Sequence, residues 1–290
     1  MISRAKIANL ARQVLPPFVL AGLRRLKRAD AKPVLEYAAE GWNTLPPDSE
    51  NGWDRDIVVR AEAAKWDEFR KNLEGTGPLG FSHEDTDPTA VRNVYFHNIH
   101  LTFAYVLTLA AHQKKELSVL DWGGGLGHYY LLGKTVLPDV RLRFDCRDVP
   151  LMCEQGRQLC PEVRFYSDDL CLNNRYDLVM VNGALGYFKE WKDLLVRLCD
   201  SSGRYLFLTR VLTVQGSPSF VVLQRTDVYG YNSDMLTQVF NEDEILNVVR
   251  DCGLSLVREF VVGEGPTIAG APEQCRDCGW LFERPRAATV

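Results

Sequence analysis

Ser118-Val119-Leu120-Asp121-Trp122-Gly123-Gly124-Gly125-Leu126-Gly127-His128-Tyr129-Tyr130 constrains this chain more than any other stretch. An apolar run ends in an acid, a glycine-dense turn follows, and the next residues can start a helix. The segment therefore reads as a strand, a tight loop and a helix N-terminus in succession. Such a junction aims backbone N–H groups and the positive end of a helix dipole at whatever binds there. Glycine is needed where a Cβ would block the backbone conformation or the close approach of a ligand. Spacing separates two ligand classes. A dinucleotide fingerprint, G-x-G-x-x-G, counted from Gly123 would need its third glycine at position 128, which is His128. The chain offers Asp121-x-Gly123-x-Gly125-x-Gly127 instead.

At 290 residues, the chain has room for one large domain, or one domain with a substantial extension. Its net charge of −4 hides an asymmetry: residues 1–28 hold seven basic side chains and no acid, so the remainder carries −11. An acidic body argues against a nucleic-acid partner, because phosphate-backbone binding needs clustered Lys and Arg. No apolar run approaches the ~20 residues that span a bilayer. Residues 1–28 interleave Ile2, Ile7, Leu10, Val14, Phe18, Leu20, Leu23 and Leu26 with the basic groups. That pattern suits a helix on an anionic membrane surface, or one packed on the protein's own body. Of the eight cysteines only Cys275 and Cys278 make a C-x-x-C pair, and no second Cys/His pair matches its spacing. The expectation is reduced structural thiols in a cytoplasmic protein with no metal site.

Three regions follow: a basic amphipathic segment at 1–40, a helical cap at 41–114, and an α/β domain at 115–290 with an insertion at 211–240. In the cap, residues 41–53 form a turn-rich connector with two tryptophans, and helical periodicity predicts a helix over Asp56–Leu73. Asp87 as cap and Pro88 at the first helical position predict another, running to His112. From Leu117 onward, strands alternate with helices, the pattern of a doubly wound sheet. Strands are expected at 140–146, 163–167, 176–182, 204–210, 255–262 and 279–283. Helices are expected at 126–136, at 189–198 and following Arg147-Asp148-Val149-Pro150 to about Cys160, with one more capped by Asn241, where Glu244 sits at capping-box spacing. The insertion should hold one strand, Phe220–Gln224, and a polar aromatic loop.

In an open α/β sheet, ligands sit at the carboxyl ends of the strands where strand order reverses. Asp148 falls there, 27 residues after Asp121, where an acid can accept hydrogen bonds from both ribose hydroxyls or simply favour a helix start. Asp168 falls at the end of the third strand, where an acid can meet an adenine amino group or sit exposed in a loop. The fourth strand ends in Asn182-Gly183-Ala184.

These motifs resemble class I S-adenosylmethionine (SAM) methyltransferases, whose first motif is a strand-end acid with three alternating glycines. More closely, the chain from about Gly41 onward resembles a bacterial methyltransferase family often associated with polysaccharide or secondary-metabolite pathways. Leu120–Tyr130, Asp148-Val149-Pro150 with Gly156, Tyr176–Val179, Pro218–Arg225, Tyr229-Gly230-Tyr231 and Ala271–Gln274 carry that likeness. The resemblance implies a Rossmann-like, mostly parallel, seven-stranded sheet with an N-terminal helical extension, and SAM as cofactor. It puts Asp121, Gly123, Gly124, Gly125, Gly127, Asp148, Val149, Asp168 and Asn182 around that cofactor. Gly183-Ala184 replaces the two prolines that base-modifying amino methyltransferases carry here, which disfavours nucleic-acid bases as substrate. The expectation is a small or glycan-like acceptor, methylated at oxygen. The tandem ligands of metal-dependent O-methyltransferases are also absent from this strand end.

A hydroxyl acceptor calls for a proton acceptor. His128, at the start of the helix after the glycine turn, and His100, with His97 three residues before it on one helix face, are the candidates. Each could equally be a hydrogen-bonded wall residue. Arg210, Tyr229 and Tyr231, with Arg225 and Asp227, flank the insertion and suit a polar, anionic or sugar-like substrate. Two other readings stay open: a methyltransferase-like scaffold tethered to a membrane-associated assembly through residues 1–28, and an NAD(P)-linked oxidoreductase.

Overall fold

The computed structural model describes residues 34–45, 51–83 and 90–285. The basic segment 1–28 and the Asp87-Pro88 pair lie outside the described residues.

Among the described residues, seven strands make the central sheet: β2 (Glu116–Trp122), β3 (Arg141–Arg147), β4 (Arg164–Tyr166), β5 (Tyr176–Asn182), β6 (Ser202–Val214), β9 (Ser255–Gly263) and β11 (Arg276–Glu283). Their order is β4-β3-β2-β5-β6-β11-β9. The first five are mutually parallel, and β11 is antiparallel to both β6 and β9. The chain leaves β2 outward through β3 and β4, then returns to the other side of β2 with β5 and β6. Strand order therefore reverses between β2 and β5, and a crevice opens at their carboxyl ends. This is a mixed α/β fold with a mostly parallel sheet.

Alternation along β2 shows why the sheet is covered twice. Leu117 and Val119 join one apolar cluster with Phe103, Leu107 and Leu132, whereas Leu120 and Trp122 join a second with Leu194, Leu198 and Trp280. Successive strand side chains point to opposite faces, so a strand buried on both faces reads as a continuous apolar run. The first cluster takes its helical residues from α1 (Asp56–Ala63), α2 (Trp66–Glu74), α3 (Val94–Ala111), α4 (His128–Val136) and α5 (Pro150–Leu159). The second takes them from α6 (Trp191–Ser201) and α7 (Glu242–Asp251).

Four further strands extend this sheet. The 13-residue β6 runs past β5, and its last residues, Thr213 and Val214, pair with β8 (Asp234–Asn241). That strand pairs with β7 (Phe220–Arg225), which pairs with β1 (Leu35–Tyr37), and β1 pairs with β10 (Ile268–Ala269). The 211–240 stretch therefore holds two strands rather than one. The residues expected to form a polar aromatic loop after Arg225 shorten to a turn at Asp227–Tyr229 before β8 begins.

The predicted helix at Asp56–Leu73 is two helices, α1 (Asp56–Ala63) and α2 (Trp66–Glu74), with Lys65 as the N-cap of the second. Helix α3 starts at Val94, where the Asn93 side chain accepts the Tyr95 N–H at 3.0 Å. Asn241 caps α7 by accepting the Asp243 N–H at 3.1 Å. Glu244 does not complete a capping box: it accepts from Ser219 Oγ at 3.0 Å and pairs with Lys192 at 2.7 Å. Asn241→Ala removes the cap and is expected to cost about 1 kcal/mol in urea unfolding at unchanged m-value. All eight cysteines are free thiols.

Candidate active site

A cavity of about 160 Å³ opens over the β2–β5 crevice. Part of its wall is the glycine turn, which holds its shape by close packing. Gly123 has φ +74°, and a Cβ there would stand 2.2 Å from the Ala184 Cβ, so the turns after β2 and β5 touch only because residue 123 lacks one. A Cβ on Gly124 would stand 2.5 Å from Asp121 Oδ2 and 2.8 Å from Cys146 Sγ. The Gly123 N–H donates to the Arg147 carbonyl at 2.8 Å, tying the turn to the end of β3.

Two acids lie in this wall, and their partners differ. Asp148 Oδ2 accepts the Gly125 N–H at 2.8 Å and its Oδ1 accepts the Val149 N–H at 2.7 Å. It braces the turn from the next strand end, and Pro150 follows as the first residue of α5. Burial raises its pKa, while the two amide donors lower it. Asp121 is fully buried, and neither of its carboxyl oxygens has a hydrogen-bond partner. Burial first, and the nearby Asp148 second, push its pKa up to about 8. An acid in such a place is strongly biased toward its neutral form until a cation arrives to pair with it.

Asn182, at the end of β5, donates through Nδ2 to the Tyr129 hydroxyl, while its buried Oδ1 has no partner. Arg147 lies over the Trp122 ring, 4.5 Å from its centroid, and pairs with Asp169 at 3.2 Å. Across the cavity, Trp53 meets Tyr187 and Tyr231 edge to face at 5.1 and 5.8 Å. The Tyr231 hydroxyl donates to Glu62, and the Tyr187 hydroxyl donates to Gln224 at 2.8 Å.

Arg210 reaches the cavity because β6 bulges. Leu208 pairs with Trp280 and Val211 with Cys278, so Thr209 and Arg210 together face Gly279. Arg210 takes φ +55°, a left-handed conformation that is costly for a side chain of its size. A bulge of this kind re-aims a side chain. Its guanidinium carbon stands 3.6 Å from where a Cβ on Gly183 would lie. Arg210 Nε donates to the Tyr95 hydroxyl at 3.3 Å, which in turn donates to Asp277 at 2.7 Å.

Asp121, Gly123, Gly124, Gly125, Asp148, Val149, Asn182, Arg210, Tyr229 and Tyr231 all line this one cavity. Gly127, Asp168, His97, His100, His128, Arg225 and Asp227 are not among its lining residues. Gly127 caps α4 in a left-handed conformation, with a would-be Cβ 3.3 Å from Phe165. Asp168 is exposed and accepts the Leu170 N–H at 3.1 Å: β4 stops at Tyr166, and the acid beyond it steadies the following turn. His100 is buried behind the wall, with Nδ1 2.8 Å from the Leu79 carbonyl, while His97 Nδ1 accepts the Leu79 N–H at 3.1 Å. These two clip the 75–83 segment to α3, and burial lowers the His100 pKa to about 4. His128 points into an aromatic cluster, 4.8 Å from Phe69 and 4.9 Å from Trp66 by ring centroid. The histidine that does line the cavity is His83, beside Glu62. Neither carries a local sequence signal, because both reach the wall through the packing of α1 and the 75–83 segment.

No family model matches the chain, and no curated protein matches it in sequence. Among solved structures it is similar to magnesium protoporphyrin IX methyltransferase from Synechocystis with bound SAM, at 17% identity over 82% of this chain and 100% of that one, TM-score 0.46. It is similar to Burkholderia thailandensis 1,6-didemethyltoxoflavin-N1-methyltransferase at 15% identity, 83% and 99% coverage, and TM-score 0.44. A third is CalS10, an amino pentose methyltransferase from Micromonospora echinaspora, at 14% identity, 65% and 91% coverage, and TM-score 0.43. Likeness this slight assigns neither a family nor an activity.

Proposed function

We propose that this protein is a SAM-dependent methyltransferase acting on a small polar acceptor at a hydroxyl oxygen. The observation that carries the reading is Asp121: a fully buried, partnerless carboxyl at a strand end, in the wall of a glycine-cradled cavity. Such a group fits the ammonium of an amino-acid moiety. The Gly123–Gly125 backbone leaves room beside it, and Asp148 retains lone pairs for ribose hydroxyls. The bound cofactor supplies an electrophilic methyl group on a sulfonium.

The chain's own work is orientation and proton management. Arg210, Tyr229 and Gln224 offer charged and polar contacts to an anionic or sugar-like acceptor. The Trp53–Tyr187–Tyr231 aromatic wall keeps water from the acceptor side. Glu62 and His83 are the ionisable groups of that same wall, where an acceptor hydroxyl would give up its proton.

The test is a screen of hydroxyl-bearing acceptors for conversion of SAM to S-adenosylhomocysteine, with calorimetric binding of both compounds as the entry point. Acceptor-dependent turnover is expected; a folded protein that binds neither compound overturns the reading. With an acceptor in hand, Arg210→Ala is expected to raise its KM about tenfold or more while leaving cofactor affinity within about twofold, the loss of one charge-assisted contact.

A further inference from the structure

We propose that Glu62, His83 and His128 form a binding site for a divalent transition-metal ion at the edge of the cavity. Glu62 lies on α1, His83 on the segment after α2, and His128 at the first position of α4. The fold brings one ligand atom from each to within 4.8 Å of the others. His83 Nε2 and Glu62 Oε2 are already 3.9 Å apart. Spacing rules applied to the sequence cannot find such a set, because its members are neither adjacent nor on one element.

The surroundings are those of a built site. Glu62 is 4% exposed and His128 1%, and a carboxylate this deep is costly unless it is hydrogen-bonded or holds a cation. Tyr231 donates to Glu62 Oε1, leaving Oε2 as the oxygen turned toward His83, the arrangement that orients a ligating carboxylate from the outer shell. Phe69 packs edge-on against both imidazoles, 6.2 Å from His83 and 4.8 Å from His128. The double grip of His97 and His100 on Leu79 anchors the segment carrying His83. Two imidazole nitrogens with one carboxylate oxygen suit zinc, cobalt, nickel or ferrous iron rather than magnesium or calcium.

The donors are set wider than in a loaded site. Metal–nitrogen bonds of about 2.0–2.1 Å place tetrahedral donors roughly 3.3 Å apart, so the triad must contract. The His83 and His128 rings stack at 4.2 Å and 16°, which runs their lone pairs side by side. His83 is the less buried of the two rings and so the one with room to turn toward the other donors. Glu62 and His83 line the cavity, so an acceptor oxygen could reach the ion; that consequence rests on the methyltransferase reading, whereas metal binding does not.

The experiment uses tag-free, full-length protein, dialysed against chelator and titrated with Co²⁺ by calorimetry and visible absorption, with Zn²⁺ as competitor. One Co²⁺ per chain at micromolar affinity or tighter is expected, with the absorption of a four- or five-coordinate ion, displaced by Zn²⁺. Glu62→Gln and His83→Gln should each weaken it at least about a hundredfold, and Tyr231→Phe about tenfold. Urea unfolding of the same samples reports whether each variant is folded, and S-adenosylhomocysteine titration tests the methyltransferase reading separately. No binding, binding in both ligand variants as tight as in the unaltered protein, or cobalt–thiolate charge-transfer bands that assign the ion to cysteines would each overturn the site.

Discussion

Asp121→Asn is expected to weaken S-adenosylhomocysteine binding at least about thirtyfold at pH 7.5, and at the same time to stabilise the ligand-free protein. Both effects come from one buried carboxyl. Removing one partner of a buried charge pair costs roughly 2–5 kcal/mol, because the other charge is left desolvated without compensation. In the ligand-free protein the same group opposes folding at neutral pH. Its pKa is raised from an ordinary 3.8 to about 8. The folded chain therefore holds a proton that the unfolded chain has lost between those values, so this group's contribution favours the fold most below about pH 4 and declines as pH rises toward 8. At pH 7 the cost is on the order of 4 kcal/mol, and asparagine does not incur it. Urea unfolding of both proteins from pH 5 to 8 checks this: the gap in favour of the variant should widen with pH.

Binding should carry the mirror image of that dependence. A ligand ammonium pairs with the ionised carboxylate, so binding near pH 6.5 must expel about one proton. Calorimetry in buffers of different ionisation enthalpy reads that number directly, and Asp121→Asn should abolish it. Affinity should improve on the order of tenfold between pH 6 and 7.5, then level off above about pH 8, where Asp121 is already ionised before the ligand arrives. A pH-independent affinity with no proton release would place the ammonium elsewhere and remove the main support for the proposed cofactor.

The difference between what the chain announces and what it conceals follows the range of the interactions involved. The glycine turn, Asp148 and the strand alternation are local patterns, and the β2–β5 crevice follows from them through the short right-handed connections of α/β sheets. Arg210 was legible as a polar residue near the insertion. Its aim was not, because the bulge depends on Gly279, 69 residues further on. Asp168 misled because an acid after a strand looks the same whether it faces a ligand or caps a turn. His128 and His100 misled in a similar way: their positions beside the glycine turn and on an amphipathic helix were right, but the aromatic cluster around Phe69 and the Leu79 backbone hold their rings. His83 and Glu62 had no pattern to announce them. Only the docking of α1 and the 75–83 segment over the sheet makes them neighbours.

Gly123→Ala is expected to destabilise the protein by about 3 kcal/mol, and Ala184→Gly to restore most of that loss. Two costs are superimposed at this residue. A non-glycine side chain at φ +74° costs roughly 1–2 kcal/mol wherever it occurs. The second is contact: the new Cβ would lie 2.2 Å from that of Ala184, and opening that gap separates the turns after β2 and β5. Overpacking of this kind typically costs about 1–3 kcal/mol. Deleting the Ala184 methyl removes the contact and leaves the backbone cost, so Gly123→Ala made in an Ala184→Gly background should lose only about 1 kcal/mol. The difference between backgrounds is the coupling energy of a double-mutant cycle, read from denaturant midpoints at constant m. Equal losses in both backgrounds would mean that the turns do not touch. The same cycle followed by S-adenosylhomocysteine titration separates shape from chemistry: the single variant should lose affinity because the Gly123 N–H to Arg147 carbonyl bond, which ties the turn to β3, is displaced along with the backbone. The double variant should recover that affinity, since Asp121 and Asp148 stay where they are and only the packing between the two strand ends has changed.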